Sequence, residues 1–340
     1  MNLLEPWVLL RLVAGVVATA LFLRAAQTAS RVLRHWDVSG ASEGQLALEK
    51  QLDLSRTYVR VAAVVQVGAL LLSIMAADRL SRGVRGAMCG WGVFSANPWG
   101  FRAITTSAAV ALVAGVVAQV FSFDARVRTF ALARPLAWAT LAVAPLSAID
   151  LAIQGQFLLD LDLTVVSSCC SVQVDALGAA TDDGFAAGPR VLVSWAAALS
   201  VLLALGLSLW ARSTPSRVRV TAAGVASLVA LPLAIGASML EVAPHAFETP
   251  HHACPFCLFK PDVLALGYPL FGAMLLAAIR GGGAAVCALL ARGADTHAAL
   301  GAFARRSLSF GAAAWGVAAL VAVAPVVRYL VLSHGAPLFP

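Results

Sequence analysis

Eight stretches of mostly apolar residues recur along the chain, at roughly 6–25, 58–77, 103–123, 136–158, 190–210, 220–241, 262–280 and 307–329. A helix needs about 20 residues, at about 1.5 Å each, to cross a hydrocarbon core about 30 Å thick. Hydrocarbon offers no hydrogen bonds to the backbone, so only helices or a closed barrel can span it. Barrel strands would show about ten residues of alternating polarity, and no segment alternates in that way. The sequence therefore predicts an all-α fold. It is a polytopic membrane helix bundle of about eight transmembrane helices, organised as one integral membrane domain over residues 1–340.

Only 12% of the residues are charged and 60% are hydrophobic, against about 25% charged in an ordinary soluble domain. The net charge of +7 would suit a nucleic-acid partner, but the basic residues sit at the ends of apolar runs, where they orient helices. No nucleic-acid partner is expected, and the first partner is the lipid bilayer. No G-x-x-x-x-G-K-[ST] nucleotide motif is present. Gly281-Gly282-Gly283 lacks the lysine and reads as a helix terminus.

With both termini placed outside, sixteen Lys and Arg fall in inner segments and five in outer ones, the other three lying within or at the ends of spans. Basic loops stay on the cytoplasmic side, so this layout is preferred. The loop 78–102 opposes it with four arginines. The first run has no basic residues before it and Arg24, Arg31 and Arg34 after it. That order suits a retained helix rather than a cleaved leader. The expected location is a bacterial inner (cytoplasmic) membrane. In the inner loop 26–57, Ser42 stands three residues before Gln45 and ahead of Leu46, Leu48, Leu52 and Leu54. This capping-box pattern predicts a short amphipathic surface helix running into the second span. It could serve as a connector or as a docking site for a cytoplasmic partner.

The same layout brings three cysteine-bearing loops to the outer face. They hold Cys89, the adjacent Cys169 and Cys170, and the C-x-x-C pair Cys254 and Cys257, preceded by His251 and His252. Outside a bacterial inner membrane, cysteines are bridged, redox-active or metal-bound. One reading is structural, with two disulfides tying the loops and one thiol left over. A second is thiol-disulfide or electron-transfer chemistry, with Cys254, Cys257, Cys169 and Cys170 as the reacting thiols. Neighbouring histidines or a helix start would favour the thiolate. A third uses Cys89, Cys169, Cys170, Cys254, Cys257, His251 and His252 as ligands for copper or zinc, with His245 and Met88 as further donors; thiolate and imidazole suit those ions. Covalent haem is disfavoured because Leu258, not His, follows Cys257. The sixth cysteine, Cys287, falls on the inner side and reads as a small apolar filler.

Cys254-Pro255-Phe256-Cys257 resembles the active-site motif of glutaredoxins over those four residues. That family carries the motif after a strand of a soluble α/β fold, which an eight-span chain does not provide. By mechanism, the outer C-x-x-C beside a helix end is similar to that of membrane disulfide-forming enzymes, an analogy that implies a quinone as electron acceptor. The expected activity is that of a membrane thiol-disulfide oxidoreductase. The alternatives are binding, transport or delivery of a soft metal, and a structural role in a membrane complex. Expected partners are a periplasmic redox or metal-carrier protein and other membrane subunits.

Charged and strongly polar side chains inside spans are expensive and need an account. Asp150, with Gln154 one turn on, reads either as a carboxyl bonded to a neighbouring helix or as a proton or cation relay. Arg11, near the outer end of the first span, is expected to snorkel to the surface. Gln66 and Gln119 are expected to bond between helices, and Pro145 and Pro232 to kink their spans.

Overall fold

The structure is a computed structural model and describes residues 5–37, 42–127, 130–162, 187–250 and 252–339. Those residues are helical with no strand. The helices are α1 (Pro6–His35), α2 (Glu43–Leu80), the short α3 (Gly90–Ser95), α4 (Gly100–Asp124), α5 (Ala133–Leu159), α6 (Ala187–Ser213), α7 (Arg217–Ala237), α8 (Ala243–Phe247), α9 (Gly267–Leu290) and α10 (Ala294–Leu332). A π-helical turn, Ser238–Val242, joins α7 to α8, and two 3-10 turns, Pro255–Phe259 and Pro261–Val263, precede α9. Among the described residues eight helical spans are long and apolar enough to cross a membrane, with α7, the π turn and α8 counting as one. Leu192, Leu199, Leu202 and Leu320 are 63–74% exposed on helix surfaces. Contiguous apolar surface of that kind is a liability in water and is the normal outer face of a helix in lipid. The chain is a multi-pass membrane protein.

The sequence-predicted spans lie on these helices, several of which run well past the expected ends (α1 to His35, α2 from Glu43, α10 from Ala294), and both ends of the seventh span move for physical reasons. The seventh span was expected at 262–280, whereas α9 runs from Gly267 to Leu290. Pro261 opens a separate 3-10 turn, and Leu264 and Ala265 then adopt left-handed backbone (φ 57° and 52°), so the helix starts later. Gly281-Gly282-Gly283 is not a helix terminus. It lies inside α9, where a Cβ on Gly281 would come 2.6 Å from the Ser227 side chain of α7. Reciprocally, a Cβ on Gly224 of α7 would meet the Gly281 carbonyl oxygen at 2.4 Å. The glycines let two backbones approach, as small residues do between membrane helices. The expected surface helix after Ser42 is continuous with the second span: α2 runs without interruption for 38 residues. Ser42 caps it by accepting from the Gln45 N–H, while the Gln45 side chain turns to Asp37 and Glu49 instead of closing the box.

Two compact units result. In the first, α1 packs on α2 and α5, and α4 on α2 and α5, which makes a ring of four helices. A buried polar cluster joins all four. Arg11 of α1 donates to Ser73 of α2 (2.6 Å), Ser107 of α4 (2.8 Å) and the Asp150 carboxylate of α5 (3.0 Å). Asp150 also accepts from Gln66 (2.8 Å) and Ser107 (2.5 Å). Arg11 and Asp150 are each 1% exposed, so Arg11 does not snorkel. Pairing with Asp150 neutralises it where it stands, and Gly15 leaves room for its Nη1, which a Cβ there would approach to 2.8 Å. Near one end of this unit Arg56 pairs with the fully buried Asp124.

The second unit contains α6, α7 with its π turn and α8, most of α9 and α10, and the segment Arg85–Gly92. Its apolar core is built on Leu258, Leu270, Met274 and Trp315. The Trp315 Nε1–H donates to Ser227 of α7 at 3.4 Å. Pro145 and Pro232 lie inside continuous helices.

Candidate functional site: a buried three-sulfur cluster

The cysteine cluster belongs wholly to the second unit. Pro255 opens a 3-10 turn with Cys254 as its N-cap and Cys257 three residues on. In a 3-10 helix residues three apart eclipse, so a C-x-x-C on such a turn presents both sulfurs to one side. Two interactions bring in the segment carrying Cys89. The Lys260 ammonium donates to the Met88 carbonyl, and Trp91 meets Phe256 edge-on at 6.3 Å between centroids. Gly86 takes a positive φ of 78° in the turn leading to Cys89, and Cys89 itself accepts from the Gly92 N–H ahead of α3.

The result is one contact between sulfurs 165 residues apart, with Cys89 Sγ 3.3 Å from Cys254 Sγ. The Sγ atoms of Cys89, Cys254 and Cys257 all lie within 4.8 Å of one another. Their residues are 0%, 0% and 5% exposed and pack against Trp91, Phe247 and Phe256. The 3.3 Å separation is a non-bonded contact, against about 2.05 Å in a disulfide.

His252 completes the setting. Its ring stacks on Phe247 with centroids 4.2 Å apart, and its Nε2 is buried with no hydrogen-bond partner among the described residues. Burial pushes the imidazole below its ordinary value; the Cys89 thiolate opposes this and the Lys260 charge adds to it. The neutral ring that results is the form in which histidine binds a metal.

Of the sequence-predicted residues, Cys89, Cys254 and Cys257 come together with His252 alongside. Cys169, Cys170 and His251 lie outside the described residues. Asp150 and Gln154 belong to the first unit, Asp150 in the ion pair described above and Gln154 buried with its Oε1 lacking a hydrogen-bond partner among the described residues. Cys287 is fully buried in α9.

Sequence reasoning missed the arrangement around Glu241. This residue sits on the π turn, accepts from Ser194 (2.9 Å) and Arg190 (3.3 Å), and lies 3.8 Å from the His245 ring nitrogen Nδ1. The His245 Nδ1–H donates to the Glu241 carbonyl at 2.7 Å. The available signal was an acidic residue at the end of an apolar run, four before a histidine.

Comparisons with protein-family models, with curated proteins and with solved structures find no match to this chain.

Proposed function

We propose that this membrane protein binds a thiophilic metal ion, Cu(I) or Zn(II), through Cys89, Cys254 and Cys257. The observation that carries the reading is the convergence of three buried sulfurs, from two separate segments, within 4.8 Å of one another. A metal–sulfur bond of about 2.3 Å in tetrahedral geometry sets sulfurs about 3.8 Å apart, so small side-chain adjustments accommodate an ion. Three thiolates satisfy Cu(I) outright, whereas Zn(II) takes four ligands. His252, neutral and beside Cys89, is the candidate fourth. Burial also disfavours direct thiol exchange with a protein partner, because an attacking thiolate must reach the sulfur. The chain is read as a bacterial inner-membrane protein with both termini and the sulfur site outside. There it would receive an ion from, or pass one to, a periplasmic carrier.

A second reading rests on the 3.3 Å contact between Cys89 and Cys254. Those thiols need to close by only about 1.3 Å to reach the S–S bond length. Forming the bond would release two protons and two electrons, the electrons passing to a quinone. The protein would then be a membrane thiol-disulfide oxidoreductase.

Metal analysis of the purified full chain separates the two. The metal reading expects one equivalent of copper or zinc per chain, lost in Cys89→Ser, Cys254→Ser and Cys257→Ser. His252→Ala should then lose zinc and retain Cu(I). A metal-free protein with a Cys89–Cys254 bridge that dithiothreitol opens and a quinone re-forms would replace it with the redox reading.

A further inference from the structure

The second unit holds a cavity of about 350 Å3 between α6, the α7–π segment and α10, with Met274 of α9 at its wall. Its walls are alanine, valine and leucine, and polar side chains are confined to Ser194, Ser238 and Glu241. These belong near one end. Glu241 lies 24 residues after Arg217, about 36 Å along the span at 1.5 Å per residue, and six before Phe247, which stacks on His252 of the cysteine loop. At the other end stands Trp315. The wall residues of α10 run from Trp315 to Val326, about 16 Å of helix. Leu202 and Val323, more than half exposed, also border the cavity, so its mouth faces the hydrocarbon. The space is a slot, polar at one end and open to lipid along its side.

Three features mark the polar end as built. An ionisable group inside a span is costly and calls for a role. Glu241 is held by Ser194 and Arg190, and Arg190 is itself fixed by the Phe339 ring 3.4 Å from its guanidinium carbon. Glu241 also rides a π turn, an irregularity that re-aims a side chain and recurs at functional sites. Sites for small molecules combine apolar walls with a few placed polar groups in this way.

We propose that this slot binds a single-tailed, uncharged amphiphile of the quinone–quinol class, with its head at Glu241 and Ser194 and its tail alongside Trp315. The single tail follows from the length and volume of the slot. The uncharged head follows from the mutual neutralisation of Arg190 and Glu241, which leaves no net charge for an anionic or cationic lipid. A quinone carbonyl can accept from Ser194, and a quinol hydroxyl can donate to Glu241. The proposal uses no atom of the sulfur cluster, so each can fail without the other.

The test uses the full chain in phospholipid nanodiscs titrated with decyl-benzoquinone, read by quenching of tryptophan fluorescence. Saturable quenching is expected. Because the quinone ring sits at the Ser194 end, the saturable part should shrink in Trp195→Phe, the tryptophan next to Ser194, and survive in Trp315→Phe, which faces the tail. Ala322→Leu, a half-buried wall position, should weaken binding about tenfold, and Glu241→Gln, which keeps the shape, should weaken it measurably. Excess dodecanol should displace the probe and lysophosphatidic acid should not. Quenching that grows linearly with probe and is unchanged in Ala322→Leu would mean partition into lipid and overturn the proposal. Equal displacement by lysophosphatidic acid would show a slot indifferent to headgroup charge and overturn it too.

Discussion

Cys89 Sγ sits 3.3 Å from Cys254 Sγ, and the chain reaches that contact by tying two loops together beside it. Lys260 anchors to the Met88 carbonyl, one residue from the first sulfur and three from Cys257. The tether should decide how firmly Cys89 is held. In metal-free protein, Lys260→Met is expected to raise the rate of Cys89 alkylation by maleimide several-fold, followed by mass spectrometry, while Cys287 stays unreactive. An unchanged Cys89 rate would mean that the Lys260 contact is not what holds the loop.

Asp150→Asn leaves the Arg11 guanidinium buried without its counter-charge. Removing one partner of a buried pair costs about 3–5 kcal/mol, so the variant should melt well below the parent in detergent. The double substitution Arg11→Met with Asp150→Leu should recover most of the loss, because a buried pair and an apolar pair of similar volume are often close in stability. A single variant as stable as the parent would refute the clamp.

Gly224→Ala places a methyl group against the Gly281 carbonyl oxygen and the Ala285 Cβ, each 2.4 Å away. Neither is the end of a flexible side chain, so α7 and α9 must separate, at a cost of about 1–3 kcal/mol. Gly272→Ala, in the same α9, meets nothing within 4 Å and should be neutral or stabilising by up to about 1 kcal/mol. Thermal melts of the two variants side by side provide the comparison.

The orientation is tested with single cysteines at exposed positions. A membrane-impermeant maleimide applied to intact spheroplasts should label His334→Cys and leave Lys50→Cys unlabelled until the membrane is permeabilised. The opposite pattern would invert the layout and put the sulfur site in the cytoplasm.

Apolar run length carried the spans into the structure because the hydrocarbon thickness fixes it and few other solutions satisfy the backbone. Boundaries such as that of α9 escaped because Gly281-Gly282-Gly283 looks like a stop in isolation and acts as a contact surface only once α7 lies against it. The pairing of Arg11 with Asp150 was equally invisible. Each residue was legible as an expensive group, but their match depends on α1 and α5 being neighbours in a ring. At the sulfur cluster, C-x-x-C spacing pointed to Cys254 and Cys257, and the 3-10 turn supplies the physical reason they converge. Cys89 looked the least secure member because its loop carries arginines that strain the charge rule. The contact of Lys260 with the Met88 backbone, which draws that loop in, leaves no trace in side-chain pattern.

The ion pair of the first unit also has a consequence in time. Arg11 and Asp150 are 139 residues apart in sequence. At about 5–20 residues per second, synthesis of Asp150 follows that of Arg11 by on the order of ten seconds. Throughout that interval the first helix carries a positive charge whose partner does not yet exist. Until α5 arrives that charge costs up to about 3 kcal/mol in hydrocarbon, unless the side chain reaches the nearby end of α1. A chain truncated before Asp150 should therefore be less stable in the membrane than the full chain.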